Sequence, residues 1–243
     1  MIHRGVAGRV PLTSLRRRQV GLAVVLVALL AATLSGWFAE RARGADPSRC
    51  ERFAADSVAR AHSVTGSGPR IVVIGDSYSA GLGLDDPAAS WPSRLPGSVH
   101  VAAFSGSGFS EGASTCGAVS FADRAPAALR GGADLVVVEG GLNDFDQPAS
   151  EVTAGFTRLM RALDGHPVVV VGPVSAPSRA GAVPRVDALL AGLAEEYGVP
   201  YVGTSDLALD YLGDDLHLTP ASHQAFGDAV AARMADISDR PAA

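Results

Sequence analysis

An α/β fold is what this sequence predicts: flavodoxin-like, three layers (α/β/α), with a five-stranded parallel sheet in the order 2-1-3-4-5. Runs such as Ile71-Val72-Val73-Ile74 and Leu135-Val136-Val137-Val138 are apolar at every position, the pattern of strands buried on both faces. Stretches of helical composition separate these runs, and parallel neighbours need such crossovers. Polar, glycine-containing turns follow the strands, at the edge where an open α/β sheet forms its crevice.

The elements follow in order along the 243 residues. Residues 1–19 are basic, with Arg4, Arg9 and Arg16-Arg17-Arg18. Residues 20–39 are uncharged and mostly apolar, long enough at ~1.5 Å per residue to cross a hydrocarbon core of about 30 Å. By the positive-inside rule the N-terminus stays in the cytoplasm and the rest of the chain lies outside. We read this segment as a single-pass transmembrane anchor, with a signal peptide cut near Ala42-Arg43-Gly44 as the alternative.

Residues 40–69 form a helix and linker. Asp46 to Val64 has helical composition, with Phe53, Val58 and Ala61 available to pack, and Thr65-Gly66-Ser67-Gly68-Pro69 ends it. The domain proper is expected over residues 70–237. Its strands fall near 70–75, 99–104, 134–139, 167–172 and 199–203, and its clearest helices around 150–163, 184–197 and 219–237. The last of these opens with Thr219-Pro220, an N-cap followed by proline at the first helical position. Residues 238–243 read as a frayed tail.

Four polar turns meet at one sheet edge in this arrangement. Gly75-Asp76-Ser77-Tyr78 follows the first strand, and Ser105-Gly106-Ser107-Gly108 the second. Gly140-Gly141-Leu142-Asn143-Asp144 follows the third, and Asp214-Asp215-Leu216-His217 precedes the last helix. On these residues the chain resembles the SGNH hydrolases, the GDSL-like esterases and lipases, from about Arg70 to Ile237. Gly75-Asp76-Ser77-Tyr78 matches the nucleophile block, Gly108 the glycine block, Gly141-Leu142-Asn143-Asp144 the Gly-x-Asn-Asp block, and Asp214 with His217 the Asp-x-x-His block. The asparagine that often opens the glycine block is absent, and Gly106 competes with Gly108.

The residues carry the same chemistry when read alone. A serine hydroxyl is a weak nucleophile until a base takes its proton, and imidazole titrates in the range that suits the task. Ser77 is the expected nucleophile and His217 its base. Asp214 is the expected orienter of the imidazole, with Asp215 as its rival. An oxyanion hole is expected from the backbone N–H groups of Ser77 and Gly108 and the side-chain amide of Asn143. Asp144 is left to the turn or to bracing of the loops. The plainer roles are a helix N-cap for Ser77, an Asx turn for Asn143 and a cap of the last helix for His217.

Other chemistries find little support. Gly75-Asp76-Ser77-Tyr78-Ser79 lacks the second glycine of a G-x-S-x-G elbow, Glu111 stands where a dinucleotide loop needs its third glycine, and there is no P-loop. The chain has no lysine, which excludes Schiff-base and Ser-Lys mechanisms. His3, His62, His100, His166 and His223 lack partners at metal-ligand spacing, so no metal or cofactor is expected. A formal charge of -5, with 25 acidic against 20 basic residues, disfavours nucleic acid. The two cysteines, Cys50 and Cys116, are expected to form a disulfide outside the cytoplasm.

The expected activity is that of an extracytoplasmic serine esterase or deacylase, acting through an acyl-enzyme on an ester of a small molecule, lipid or acylated glycan. An acyltransferase with the same triad and an inactive wall-binding or ligand-binding module are the alternatives.

Overall fold

The computed structural model describes residues 47–238. Residues 1–46, including the apolar segment 20–39, lie outside them. Among the described residues no helix is long and apolar enough to cross a membrane.

Helix α1 (Pro47–His62) leads into strand β1 (Arg70–Gly75) and the one-turn helix α2 (Ser77–Ala80). Strand β2 (Ser98–Ala103), helix α3 (Phe121–Ala128), strand β3 (Leu135–Glu139) and helix α4 (Ala149–Ala162) follow. Strand β4 (Val168–Val171), helix α5 (Val183–Glu196), strand β5 (Tyr201–Val202) and helix α6 (Pro220–Ser238) complete the order. The five strands are parallel and lie in the order β2-β1-β3-β4-β5, as the sequence predicts.

The all-apolar strands divide their side chains between two cores. Ile71, Val73, Val137, Val169 and Val171 face a layer that holds Tyr78, Trp91, Phe226 and Val230. Val72, Ile74, Val136, Val138, Val168 and Val170 face the opposite layer, built on Phe121, Phe156, Leu159 and Leu190. Alternate residues of a strand point to opposite faces, so a run without polar positions is what a two-sided core demands.

Helix α3 was not among the expected helices, because it is short and carries Pro126. A capping box holds it: Ser120 accepts from the Asp123 N–H, and the Asp123 carboxylate accepts from the Ser120 N–H. At the start of α6 the Thr219 hydroxyl accepts from Ser222 N at 3.2 Å, the cap that Thr219-Pro220 implies.

Helix α1 is tied to the domain at three places. Cys50 and Cys116 are joined by a disulfide, with 5.4 Å between their Cα atoms. Phe53 packs edge-on against Phe104, and the buried Arg60 guanidinium donates to Ser90 Oγ and to Ser63 O.

Candidate active site

Strand β1 ends at Gly75 because nothing larger fits. A Cβ there would lie 2.1 Å from Ser79 Oγ and 3.0 Å from Glu139 Oε2. The chain then turns at Asp76, whose carboxylate caps α2 by accepting from Tyr78 N at 2.9 Å. This turn sets Ser77 at the carboxyl edge of a central strand, beside the switch between β1 and β3.

The partner of Ser77 arrives from 140 residues away: His217 Nε2 lies 3.1 Å from Ser77 Oγ. On the other side of the ring, His217 Nδ1 is 2.5 Å from Asp214 Oδ2. The second oxygen of Asp214 accepts from the N–H groups of Leu216 and His217, so backbone as well as side chain hold the pair in register. Burial alone would raise the Asp214 pKa, but the His217 imidazole and these backbone donors outweigh it and bring it down to about 2. Asp214 is therefore an anion at any working pH. Asp215, the rival orienter, takes a left-handed backbone (φ 55°) and makes no contact with the imidazole among the described residues.

The Asp214 loop is anchored as well. Tyr78 Oη donates to Leu216 O, Leu212 N donates to His217 O at 2.7 Å, and Thr219 N donates to Asp210 O.

Asn143 stands across from this pair. Its Nδ2 donates to Asp76 Oδ2 at 3.1 Å and to Ser107 O at 2.9 Å, two acceptors that fix the orientation of the amide. Both amide hydrogens are thus engaged, and an arriving oxyanion would have to share one. The N–H groups of Ser77, Gly106 and Gly108 have no acceptor among the described residues. Gly106 is half-exposed with φ 80°, whereas Gly108 is buried. A Cβ on Gly108 would meet Asp144 Oδ2 at 2.4 Å, so glycine is required there. Asp144 braces this loop, accepting from Phe109 N and Ser110 N at 3.0 and 2.8 Å.

A match to a known family can now be set beside this geometry. A sequence model of the GDSL-like Lipase/Acylhydrolase family matches residues 73–225, which include all four turns. The chain belongs to this family. The protein is accordingly a carboxylic ester hydrolase of the GDSL-like, or SGNH, group. No curated protein matches the sequence. Solved structures share the fold. One is Est24, a carbohydrate acetylesterase from Sinorhizobium meliloti, with 20% identity, 70% of this chain and 99% of that one covered, and a TM-score of 0.56. The inhibitor-bound aryl esterase of M. smegmatis aligns at 18% identity over 70% of this chain and 99% of its own, with a TM-score of 0.56. A family two carbohydrate esterase from Clostridium thermocellum, solved with cellohexaose, aligns at 16% identity over 72% and 66%, with a TM-score of 0.57.

Two groups around this GDSL-like site were not singled out from the sequence. The Arg124 guanidinium donates to Gly75 O and Ser107 Oγ, both at 2.9 Å, and to Ala102 O, joining the ends of β1 and β2 to the glycine loop. Burial lowers its pKa to about 10, with Asp76 and Asp123 opposing, so it stays charged at neutral pH. Glu139 is buried and accepts from Ser79 Oγ at 2.7 Å and from Trp91 Nε1 at 3.4 Å. A lone acid closing an apolar strand is the one sequence signal that could have found it.

Burial makes several of these groups poor acids. It raises Asp76 to about 6 and Asp144 to about 7, and lifts Glu139 well above its usual value. Each has a folded pKa above its unfolded one, so between about pH 4 and 7 the native state binds the extra protons. Burial of His223, lowered to about 4, and of His100, also lowered, acts the other way. Three carboxyls outweigh two imidazoles. Stability is therefore expected to fall as pH rises from 5 to 7, by about 1 kcal/mol per pH unit for one net proton. Urea midpoints across that range check it, and a rising midpoint would contradict it.

Proposed function

We propose that the protein is an extracytoplasmic serine esterase or deacylase that works through an acyl-enzyme on Ser77. The observation that carries this is the unbroken relay from Asp214 through His217 to Ser77, with both links at hydrogen-bond distance. His217 Nε2 takes the Ser77 proton as Oγ attacks the ester carbonyl. The C=O electron pair moves onto oxygen, where the N–H groups of Ser77 and Gly108 and the Asn143 amide would receive it. Collapse expels the alkoxide, which takes the proton back from His217. Water, activated by the same imidazole, then releases the carboxylic acid and restores Ser77.

The basic cluster ahead of the apolar segment 20–39 supports an outward-facing, membrane-anchored or secreted domain, and a bonded cysteine pair suits an oxidising compartment. Two of the structurally similar proteins are carbohydrate esterases, which favours an acylated glycan among the ester substrates.

Ser77→Ala tests the reading. Hydrolysis of p-nitrophenyl acetate and labelling by a fluorophosphonate should both disappear while the circular dichroism spectrum stays native. Labelling that persists in this variant would overturn the proposal.

A further inference from the structure

Beside Asn143 and Gly106 the fold leaves a cavity of about 280 Å³. One wall comes from Arg49 and Phe53 of α1, which precede the family-matched residues 73–225. The disulfide secures this wall, and Cys116 itself lines the cavity. Among the described residues its charged lining is Arg49, Arg179 and Asp146. Asp146 is occupied in part, accepting from Gln147 Nε2 at 2.7 Å.

Arg179 is the distinctive member. Its guanidinium carbon lies 3.7 Å from the centroid of the Phe145 ring, and it forms no ion pair with a described residue. Arg185 fixes the loop bearing that ring by donating to Phe145 O at 2.8 Å and to Gln147 O at 3.4 Å. Stacking uses the face of a guanidinium and leaves its in-plane N–H donors, which match a carboxylate in geometry. Arg49 lines the same cavity and donates to Thr115 Oγ1 at 3.3 Å.

We propose that this cavity is a subsite for a carboxylate of the substrate, so that the preferred esters carry a negative charge a few atoms from the scissile bond. The proposal rests on the reading of Ser77 as nucleophile. Because Asn143 and Gly106 line the cavity, it adjoins the oxyanion side of the site; pairing with Arg179 neutralises the substrate carboxylate there so that it does not oppose the developing oxyanion, and Arg179 acts on specificity rather than on the proton relay.

The carboxylate could belong to the acyl or to the alcohol part, and paired substrates separate the two. The acyl arm compares p-nitrophenyl hydrogen glutarate with p-nitrophenyl pentanoate, and the alcohol arm compares 4-acetoxybenzoate with its methyl ester. In one arm or the other, kcat/KM should favour the anion by about tenfold, the worth of one charge-assisted contact. Arg179→Gln should bring that ratio to about one, and Arg179→Lys should retain part of it. No preference in either arm, or a ratio that survives Arg179→Gln, overturns the subsite. If the neutral esters are still turned over in a Ser77-dependent way, such a result leaves the nucleophile standing. Turnover that persists in Ser77→Ala removes the nucleophile instead. A measurement free of turnover uses the Ser77→Ala protein with monomethyl glutarate for the acyl arm and 4-acetoxybenzoate for the alcohol arm. Its Tm should rise with the ligand of the preferred arm, and should not rise once Arg179→Gln is added. Absence of a rise with both ligands also overturns the subsite.

Discussion

His217→Ala is expected to lower kcat for p-nitrophenyl acetate by about 10⁴-fold or more with little change in KM, because the base acts only as the transition state forms. Asp214→Asn should come close to the same loss. The Asp214 carboxylate takes three donors, the ring Nδ1–H and two backbone N–H groups, and an amide that keeps its oxygen on the backbone pair turns its NH₂ to Nδ1 and favours the wrong tautomer. Asp215→Asn should cost little, since its carboxylate does not reach the imidazole. Steady-state kinetics of the three variants decide the matter. A damaging Asp215→Asn beside a harmless Asp214→Asn would move the orienter by one residue.

Loss of the disulfide is expected to be the largest stability effect of any change outside the core. Cys50 and Cys116 are 66 residues apart, and cross-linking a loop of that size removes roughly 4 kcal/mol of unfolded-state freedom in the chain-entropy model. For a domain of this size the double Cys→Ser variant should melt lower by about 10 °C. Activity should fall further than melting alone explains, because α1 supplies one wall of the cavity beside Asn143. Differential scanning calorimetry checks the first expectation, and kinetics well below the transition check the second. An unchanged Tm would show that Phe53 and Arg60 alone secure α1.

Much of this was legible in the sequence because it depends on short, local patterns. The buried strands were visible in their unbroken runs of valine and isoleucine, their parallel pairing in the helical crossovers, and the order 2-1-3-4-5 was the one that puts Ser77 and Asn143 on either side of the switch between the first and third strands. Ser77, Asn143, Asp214 and His217 were visible because each lies in a turn at a predictable end of an element. What escaped has a common cause. Arg124 reaches acceptors on two strands and the glycine loop, Ala102, Gly75 and Ser107, a relation that no spacing along the chain encodes. The cavity near Arg179 likewise draws on four separate segments, and Pro126 concealed the helix that carries Arg124.

The relay is carried on supports of very different reach. Asp214 and His217 belong to one loop, three residues apart, and that loop is closed by its own backbone bonds from Leu212 and Thr219. Ser77 stands at the end of a strand whose neighbours are β2 and β3, so its position reports the registration of the whole sheet. The acid and base thus form a local cassette that a few residues can assemble, whereas the 3.1 Å gap to the serine is a long-range measurement. A partly loosened protein can keep the imidazole correctly oriented by Asp214, yet lose turnover, because what fails first is the alignment between the opening strand and the closing loop.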